Sequence, residues 1–406
     1  MIGLLILSLA SALEVEQVHV ASGATVHSAT IAWSTRFNCS DSQARLSLGS
    51  CHEASCFNSY FSGAAAELST GNNTQFIHKV PVTVHPSTTY NYQVGCSAGW
   101  SKTFSLRTGK ETGPNTFLVF GDLSTADLGK QSWEVMSSRL NTMSVDAIVH
   151  VGDISYDLFT DDNRHGDDYM NTLEPAISRI PYMVIAGNHE TDDDYQSYNT
   201  RYAMPGNNFY HTYTIGLVRF VGINTESIVA QDNMTQPTLD FLQTTLNRTA
   251  EDKAAHPWLI VLGHRPLYCN KNNKTCQTQP VAMRKLLENM LYENGVDLYI
   301  NGHVHNYQRT TAVYNNTPIE TPSDVEKAYL NPDATIYITT GGPGNDEGLD
   351  PLTPNATLTW YVTGTDELTY SVMNVYNSTH LFWEQWFTQV DALADSFWVI
   401  KQAQDF

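Results

Sequence analysis

Val149-His150-Val151-Gly152-Asp153-Ile154-Ser155-Tyr156-Asp157 is the stretch on which the reading of this chain turns. The apolar run from Ala147 to Val151, broken only by His150, predicts a buried strand. It stops at a Gly-Asp pair, and a tyrosine follows three residues later. Open α/β sheets place their ligands beyond the carboxyl ends of strands. Asp153 is therefore placed for chemistry, and Tyr156 on the same turn can reach the same point. The two read as ligands of one metal, with Asp153 bridging to a second. Taken alone, the stretch reads more simply as a loop aspartate beside a packed tyrosine.

Four more predicted strands end the same way. Phe120 runs into Gly121-Asp122, and Ala186 into Gly187-Asn188-His189-Glu190. Leu262 runs into Gly263-His264, and Ile300 into Asn301-Gly302-His303-Val304-His305. Each has a glycine just before its first candidate ligand, where the chain must turn sharply and the backbone must approach closely. One Gly-His after a strand is commonplace; the whole set of Asp, Asp, Asn, His and His-x-His at strand ends is not. It predicts a dinuclear metal site. Carboxylate, phenolate and imidazole suit a trivalent ion, whereas imidazoles with an amide and a carboxylate suit divalent Zn, Fe or Mn. Paired ions about 3.5–4 Å apart are the common solution for in-line displacement at phosphorus.

Outside these motifs the chain reads in two textures. From Glu16 to about Arg107, short alternating stretches such as Thr30–Ser34, Ile77–Val84 and Tyr90–Val94 lie between Gly, Ser, Asn and Pro turns, which predicts a small β-sandwich. After the bridge Thr108–Asn115, strand-like runs alternate with helical ones. Trp133, Met136, Leu140 and Met143 mark one helix face, Leu239, Leu242 and Leu246 a second, and Val281 to Tyr292 a third. The expected fold class is α/β: a sandwich over 13–107, then a helix-flanked catalytic domain over 116–406.

With 22 Lys+Arg against 42 Asp+Glu, the net charge is −20 and no basic run occurs, so nucleic acid is not an expected partner. Met1 to Ala12 is apolar and ends in Ala10-Ser11-Ala12, which predicts a secretory signal over 1–12; no other run is long enough to span a membrane. Sequons at Asn38, Asn72, Asn233, Asn247, Asn273, Asn315, Asn355 and Asn377 agree with a secreted or lysosomal/vacuolar glycoprotein. Six cysteines in an exported chain predict disulfides. The close pairs Cys269/Cys276 and Cys51/Cys56 lead and leave Cys39 with Cys96, although spacing alone does not fix connectivity.

The five ordered motifs resemble those of the purple acid phosphatases, within the calcineurin-like metallophosphoesterase superfamily. Glu16-Gln17-Val18-His19 resembles the opening of that family's fibronectin III-like domain, and Asn377-Ser378-Thr379-His380 its C-terminal strand region. The resemblance implies a catalytic domain of two mixed sheets flanked by helices. It implies Fe(3+) held by Asp122, Tyr156 and His305, a bridging Asp153, and a divalent ion held by Asn188, His264 and His303. Many relatives in the superfamily open with Asp-x-His and lack the tyrosine; here Asp122-Leu123-Ser124 has no histidine, and Tyr156 supplies the ligand. Plant members carry a His pair after the fourth motif. Here Leu267 to Cys276 has none, which is closer to the long, animal-type members.

The implied function is an acid phosphatase that hydrolyses small phosphate monoesters by attack of metal-bound hydroxide. The alternative is a phosphodiesterase or nucleotide pyrophosphatase on the same scaffold. His189 is the candidate general acid, weighed against a role hydrogen-bonding the bridging carboxylate. His150 reads as a core residue, His165 as a residue at the pocket edge or on the surface, and Arg265 as either a phosphate contact or a packed side chain. The oligomeric state stays open, a homodimer included.

Overall fold

The computed structural model describes residues 13–39, 41–49, 54–271, 274–323, 327–353 and 358–402. The predicted signal over 1–12 and the sequons at Asn273 and Asn355 lie outside them. The N-terminal strands form a sandwich of two antiparallel sheets. One orders Glu16–Ser22, Ser28–Thr35, Asn73–Thr83 and Ala64–Thr70. The other orders Ser59–Ser62, Gln43–Leu48, Thr89–Cys96 and Gly99–Trp100, with Phe104–Arg107 also on Thr89–Cys96. Alternate residues such as Val18, Val20, Ile31 and Trp33 face Leu46, Tyr92 and Val94 across a dry core. Cys39 is bonded to Cys96, and Cys269 to Cys276. Cys56 is also disulfide-bonded, while Cys51 lies outside the described residues.

The rest of the chain is a second, larger sandwich. In one sheet Tyr182–Ile185, Ala147–Val151 and Asn115–Phe120 run parallel. Thr369–Val375 then pairs antiparallel to Asn115–Phe120 and leads into His380–Phe387 and Leu393–Ile400. In the other, Val218–Ile223, Trp258–Leu262, Leu298–Asn301 and Ile336–Thr340 run parallel. These strands are buried on both faces, so they read as continuous apolar runs. Phe220, Ile260 and Ile300 face the other sheet, and Val221, Val261 and Tyr299 face the helices.

The predicted helices are present with shifted ends. Asp127–Thr142 buries Trp133, Met136 and Leu140 and stops just before Met143. The third helix begins at Lys274 rather than Val281; Pro280 lies inside it, and the disulfide fastens its first turn at Cys276. A helix over Arg164–Ile177 was not expected, yet it buries Tyr169, Met170, Leu173 and Ile177 at helical spacing.

That helix carries the joint between the two sandwiches. Asp167 accepts from Arg201 (2.7 Å), Gln75 (2.7 Å), Gln17 (3.1 Å), Asn73 (3.1 Å) and Arg36 (3.0 Å). Gln17, Arg36, Asn73 and Gln75 come from the N-terminal sandwich, and Arg201 from the second. No helix of the described residues is long and apolar enough to cross a membrane.

Candidate metal centre

The carboxyl ends of the strands ending at Phe120, Val151, Ile185, Leu262 and Asn301 converge between the two sheets. The ligand atoms of Asp122, Asp153 and His305 lie within 4.8 Å of one another, as do those of Asp153, His264 and His303. Asp153 belongs to both groups. Tyr156 joins the first: its hydroxyl lies 2.8 Å from His305 Nε2 and 3.4 Å from Asp122 Oδ1. Asn188 joins the second, with Oδ1 3.2 Å from His264 Nε2. All seven residues predicted from the sequence therefore meet at one place.

The turns are made differently from the expectation. Left-handed backbone falls mainly on the polar residues themselves: Asp122 (φ 59°), Asp153 (φ 53°), Tyr156 (φ 56°) and His303 (φ 67°). Left-handed conformations of tyrosine and histidine are strained, and strain of this kind clusters at functional sites. The glycines mainly provide room. A Cβ on Gly187 would come 2.3 Å from Asp153 Oδ1, and one on Gly302 would come 2.1 Å from Asp122 Oδ2.

The donor set fits a pair of cations. His264 Nδ1 donates to the Val151 carbonyl (2.9 Å), and His305 Nδ1 donates to the Gly348 carbonyl (2.9 Å). Pinning Nδ1–H in this way leaves each Nε2 lone pair for a metal. Burial and nearby cations, Arg265 first among them, hold His303 well below its ordinary value, so its imidazole is neutral. Burial together with the charge of Asp153 raises Asp122, and burial with the charges of Asp122 and Asp153 raises the Tyr156 phenol. Such crowding of buried acids is relieved by bound cations. Against the penalty of burial, Asp153 pushes His264 up to about 10; a cation held at Nε2 would take the place of that proton.

Several residues without a predicted role support the site. Glu190 accepts from the amides of Gly187 (2.7 Å), Asp153 (3.1 Å) and Ile154 (2.9 Å), tying the Asn188 turn to the Asp153 turn. Burial and the charge of Asp153 push it up to about 8. Asn345 donates to the Tyr156 hydroxyl (2.7 Å). It follows the strand Ile336–Thr340 through Gly341-Gly342-Pro343-Gly344, a sixth strand end of the same kind, which a glycine run before an asparagine signals.

The remaining candidates divide. The His189 backbone donates to Asp153 Oδ1 (3.0 Å), and its ring packs against Tyr156 (4.4 Å between centroids), with Nδ1 donating to Asp157 (2.8 Å) and Nε2 3.6 Å from Glu347. His150 is buried and bonds the Tyr182 hydroxyl (2.6 Å), as expected of a core residue. His165 sits in the first turn of Arg164–Ile177 and does not line the cavity. Arg265 is packed: it pairs with Glu226 (2.6 Å) and donates to His303 Nε2 (2.6 Å). A cavity of about 240 Å³ opens over the cluster, lined by Asp153, Asn188, His303, His305, Glu347 and Lys271 among others.

Comparison with known proteins agrees with this centre. Three family profiles tile the chain: "Purple acid Phosphatase, N-terminal domain" over 15–108, "Calcineurin-like phosphoesterase" over 106–307, and "Iron/zinc purple acid phosphatase-like protein C" over 334–396. Acid phosphatase type 7 of Homo sapiens is 31% identical over 346 residues, covering 80% of this chain and 77% of that protein. Its Danio rerio counterpart is 30% identical over 399 residues, covering 91% and 87%. The structure of the purple acid phosphatase PPD1 from yellow lupin (Lupinus luteus) seeds superposes with a TM-score of 0.82 at 20% identity, covering 96% of this chain and 74% of that one. Asp153 is thus shared by two ligand groups at the heart of a fold built for phosphoester hydrolysis, and the chain belongs to the purple acid phosphatase family as an acid phosphatase of the long, animal type.

Proposed function

We propose that the centre holds Fe(3+) between Asp122, Tyr156 and His305 and a divalent Zn, Fe or Mn ion between Asn188, His264 and His303, with Asp153 ligating both. The membership of Asp153 in both ligand groups carries this reading. When bound, such a pair supplies charge neutralisation for the phosphoryl oxygens and an activated water. Tyrosinate bound to ferric iron is the origin of the family's colour. The purified protein is expected to contain iron and a broad charge-transfer band in the visible range, and Tyr156→Phe is expected to lose the band while keeping the fold. Iron-loaded but colourless wild-type protein would sink the assignment.

The chain's own groups divide the remaining work. Lys271, His303 and His305 line the cavity where the monoester sits. His189 is the proton donor: Asp157 holds its Nδ1, which leaves Nε2, 3.6 Å from the cavity-lining Glu347, to deliver its proton to the departing alkoxide. The alternative, a ring hydrogen bond to the bridging carboxylate, finds Nε2 4.0 Å from Asp153 Oδ2. His189→Ala is expected to slow an alkyl phosphate by about 10²-fold and p-nitrophenyl phosphate far less, because nitrophenolate needs no proton to leave. Equal slowing of both substrates removes the acid role. Faster hydrolysis of bis-p-nitrophenyl phosphate than of the monoester would favour the diesterase alternative.

The same reading places the two domains at 13–107 and 116–406 and sends the protein through the secretory pathway. Asn38, Asn72, Asn233, Asn247, Asn315 and Asn377 are all exposed, as glycan acceptors must be, and the disulfides fit an oxidising compartment.

A further inference from the structure

A second cavity, of about 380 Å³, adjoins the catalytic one and shares Lys271 and Cys276 with it. Its charge is unlike the rest of the molecule. The chain carries −20 overall, and the catalytic cavity includes Asp153, Glu347 and Asp350. Among the described residues, the adjoining cavity has Lys271 and Arg284 in its lining and no acid. Lys271 is at the boundary and pairs with Asp350 on the catalytic side. Arg284 donates one N–H to the Leu267 carbonyl, and its guanidinium lies over the Tyr268 ring, 4.7 Å from the centroid. A guanidinium has five donors, and no carboxylate among the described residues pairs with this one. Leu358 and Trp360 supply an apolar wall, and Trp360 is set edge-on against Tyr268 at 5.0 Å.

We infer that this cavity is a leaving-group subsite for phosphomonoesters whose departing part carries a second anionic group on a short carbon skeleton. Arg284 is the specificity-determining residue. The inference rests on the phosphatase reading above: the phosphoryl group to be cleaved occupies the catalytic cavity, the carbon chain passes Lys271 and lies along Leu358 and Trp360, and the distal anion meets Arg284. A guanidinium without a carboxylate partner is free to form charge-assisted hydrogen bonds to a phosphate or carboxylate. The helix Lys274–Glu293, pinned by the Cys269–Cys276 disulfide, fixes the position of Arg284 relative to Lys271.

The test compares kcat/KM for a series of linear diol bisphosphates of increasing chain length with that for the matching monophosphates. The metal-loaded wild-type protein is expected to prefer the bisphosphate within a narrow window of chain length. Arg284→Gln is expected to lower that preference about tenfold, the worth of one charge-assisted hydrogen bond, and to leave p-nitrophenyl phosphate turnover unchanged. Arg284→Lys is expected to retain part of the preference. Leu358→Glu leaves the packing of Arg284 on Tyr268 intact while adding a negative charge to the wall, and it is expected to reduce the preference in the same direction. An unchanged preference in both Arg284→Gln and Leu358→Glu, or no chain-length window in the wild type, overturns the subsite while leaving the phosphatase reading intact. Failure of the wild type to turn over p-nitrophenyl phosphate overturns both.

Discussion

Asp153→Asn is expected to lower turnover of a phosphate monoester by at least about 10³-fold, since each tenfold corresponds to about 1.4 kcal/mol and a bridged ion pair supplies several kcal/mol of charge stabilisation. The substitution keeps the shape of the side chain and removes its charge. Oδ1 still accepts from the His189 amide, 3.0 Å away in the native protein, and the Glu190 strut still binds the residue 153 amide. What is lost is the carboxylate that, among the described residues, is common to both ligand groups. His264 also loses the partner that pushes it up to about 10, so its Nε2 no longer faces a counter-charge at 3.1 Å. Metal content measured alongside the rate should fall from two ions towards one or none, with an unchanged circular dichroism spectrum. Activity within tenfold of the wild type would show that Asp153 does not bridge.

Asp167→Ala is expected to destabilise the protein by about 3–5 kcal/mol, the cost of leaving a buried cation without its partner. Arg201 is the cation in question: its side chain is 1% exposed and pairs with Asp167 at 2.7 Å. Four other donors, all from the N-terminal sandwich, lose their acceptor at the same time. Loosening is expected to begin at the joint between the sandwiches, so proteolysis within the 108–115 bridge should accelerate before the catalytic domain melts. Unchanged melting and unchanged proteolysis would mean that the joint is held elsewhere.

The same joint should weaken in acid in two stages. His19 lies within it, with Nδ1 2.7 Å from the Gln17 carbonyl and Nε2 3.1 Å from the Arg201 carbonyl. Burial pushes it down to about 4 from 6.5 despite those carbonyls. Between these values the unfolded chain binds a proton that the folded chain does not, so stability falls as pH falls through that window and levels off below it. Asp167 follows. Burial opposes its charge, but Arg201 and the amide donors prevail and hold it below its usual 3.8. Its contribution is complete above 3.8 and is lost as pH falls through the folded value. Melting temperature measured against pH, in the wild type and in His19→Gln, separates the first stage from the second.

The sequence by itself determined the class of fold and the residues that meet at the candidate metal centre. Both are encoded locally. A strand buried on both faces must be a short apolar run, and a ligand at its end must follow a residue small enough for close backbone approach, so Gly152-Asp153 and Gly302-His303 announce themselves without knowledge of their neighbours. The helix over Arg164–Ile177 is legible in the same way, from Tyr169, Met170, Leu173 and Ile177, but the aspartates Asp157, Asp161 and Asp162 just before it read as a loop. Other features exist only once the two sheets close. Asn345 reaches Tyr156 across 189 residues, and Asp167 gathers donors from positions as far apart as Gln17 and Arg201. Nothing periodic marks those residues, because a hydrogen bond between distant segments imposes no local pattern. Charge placement is likewise a tertiary property. The sequence reports a chain of net −20, and only folding reveals that Lys271 and Arg284 share a cavity with no acid among its described lining residues, next to the centre that Asp153 and Tyr156 help to build.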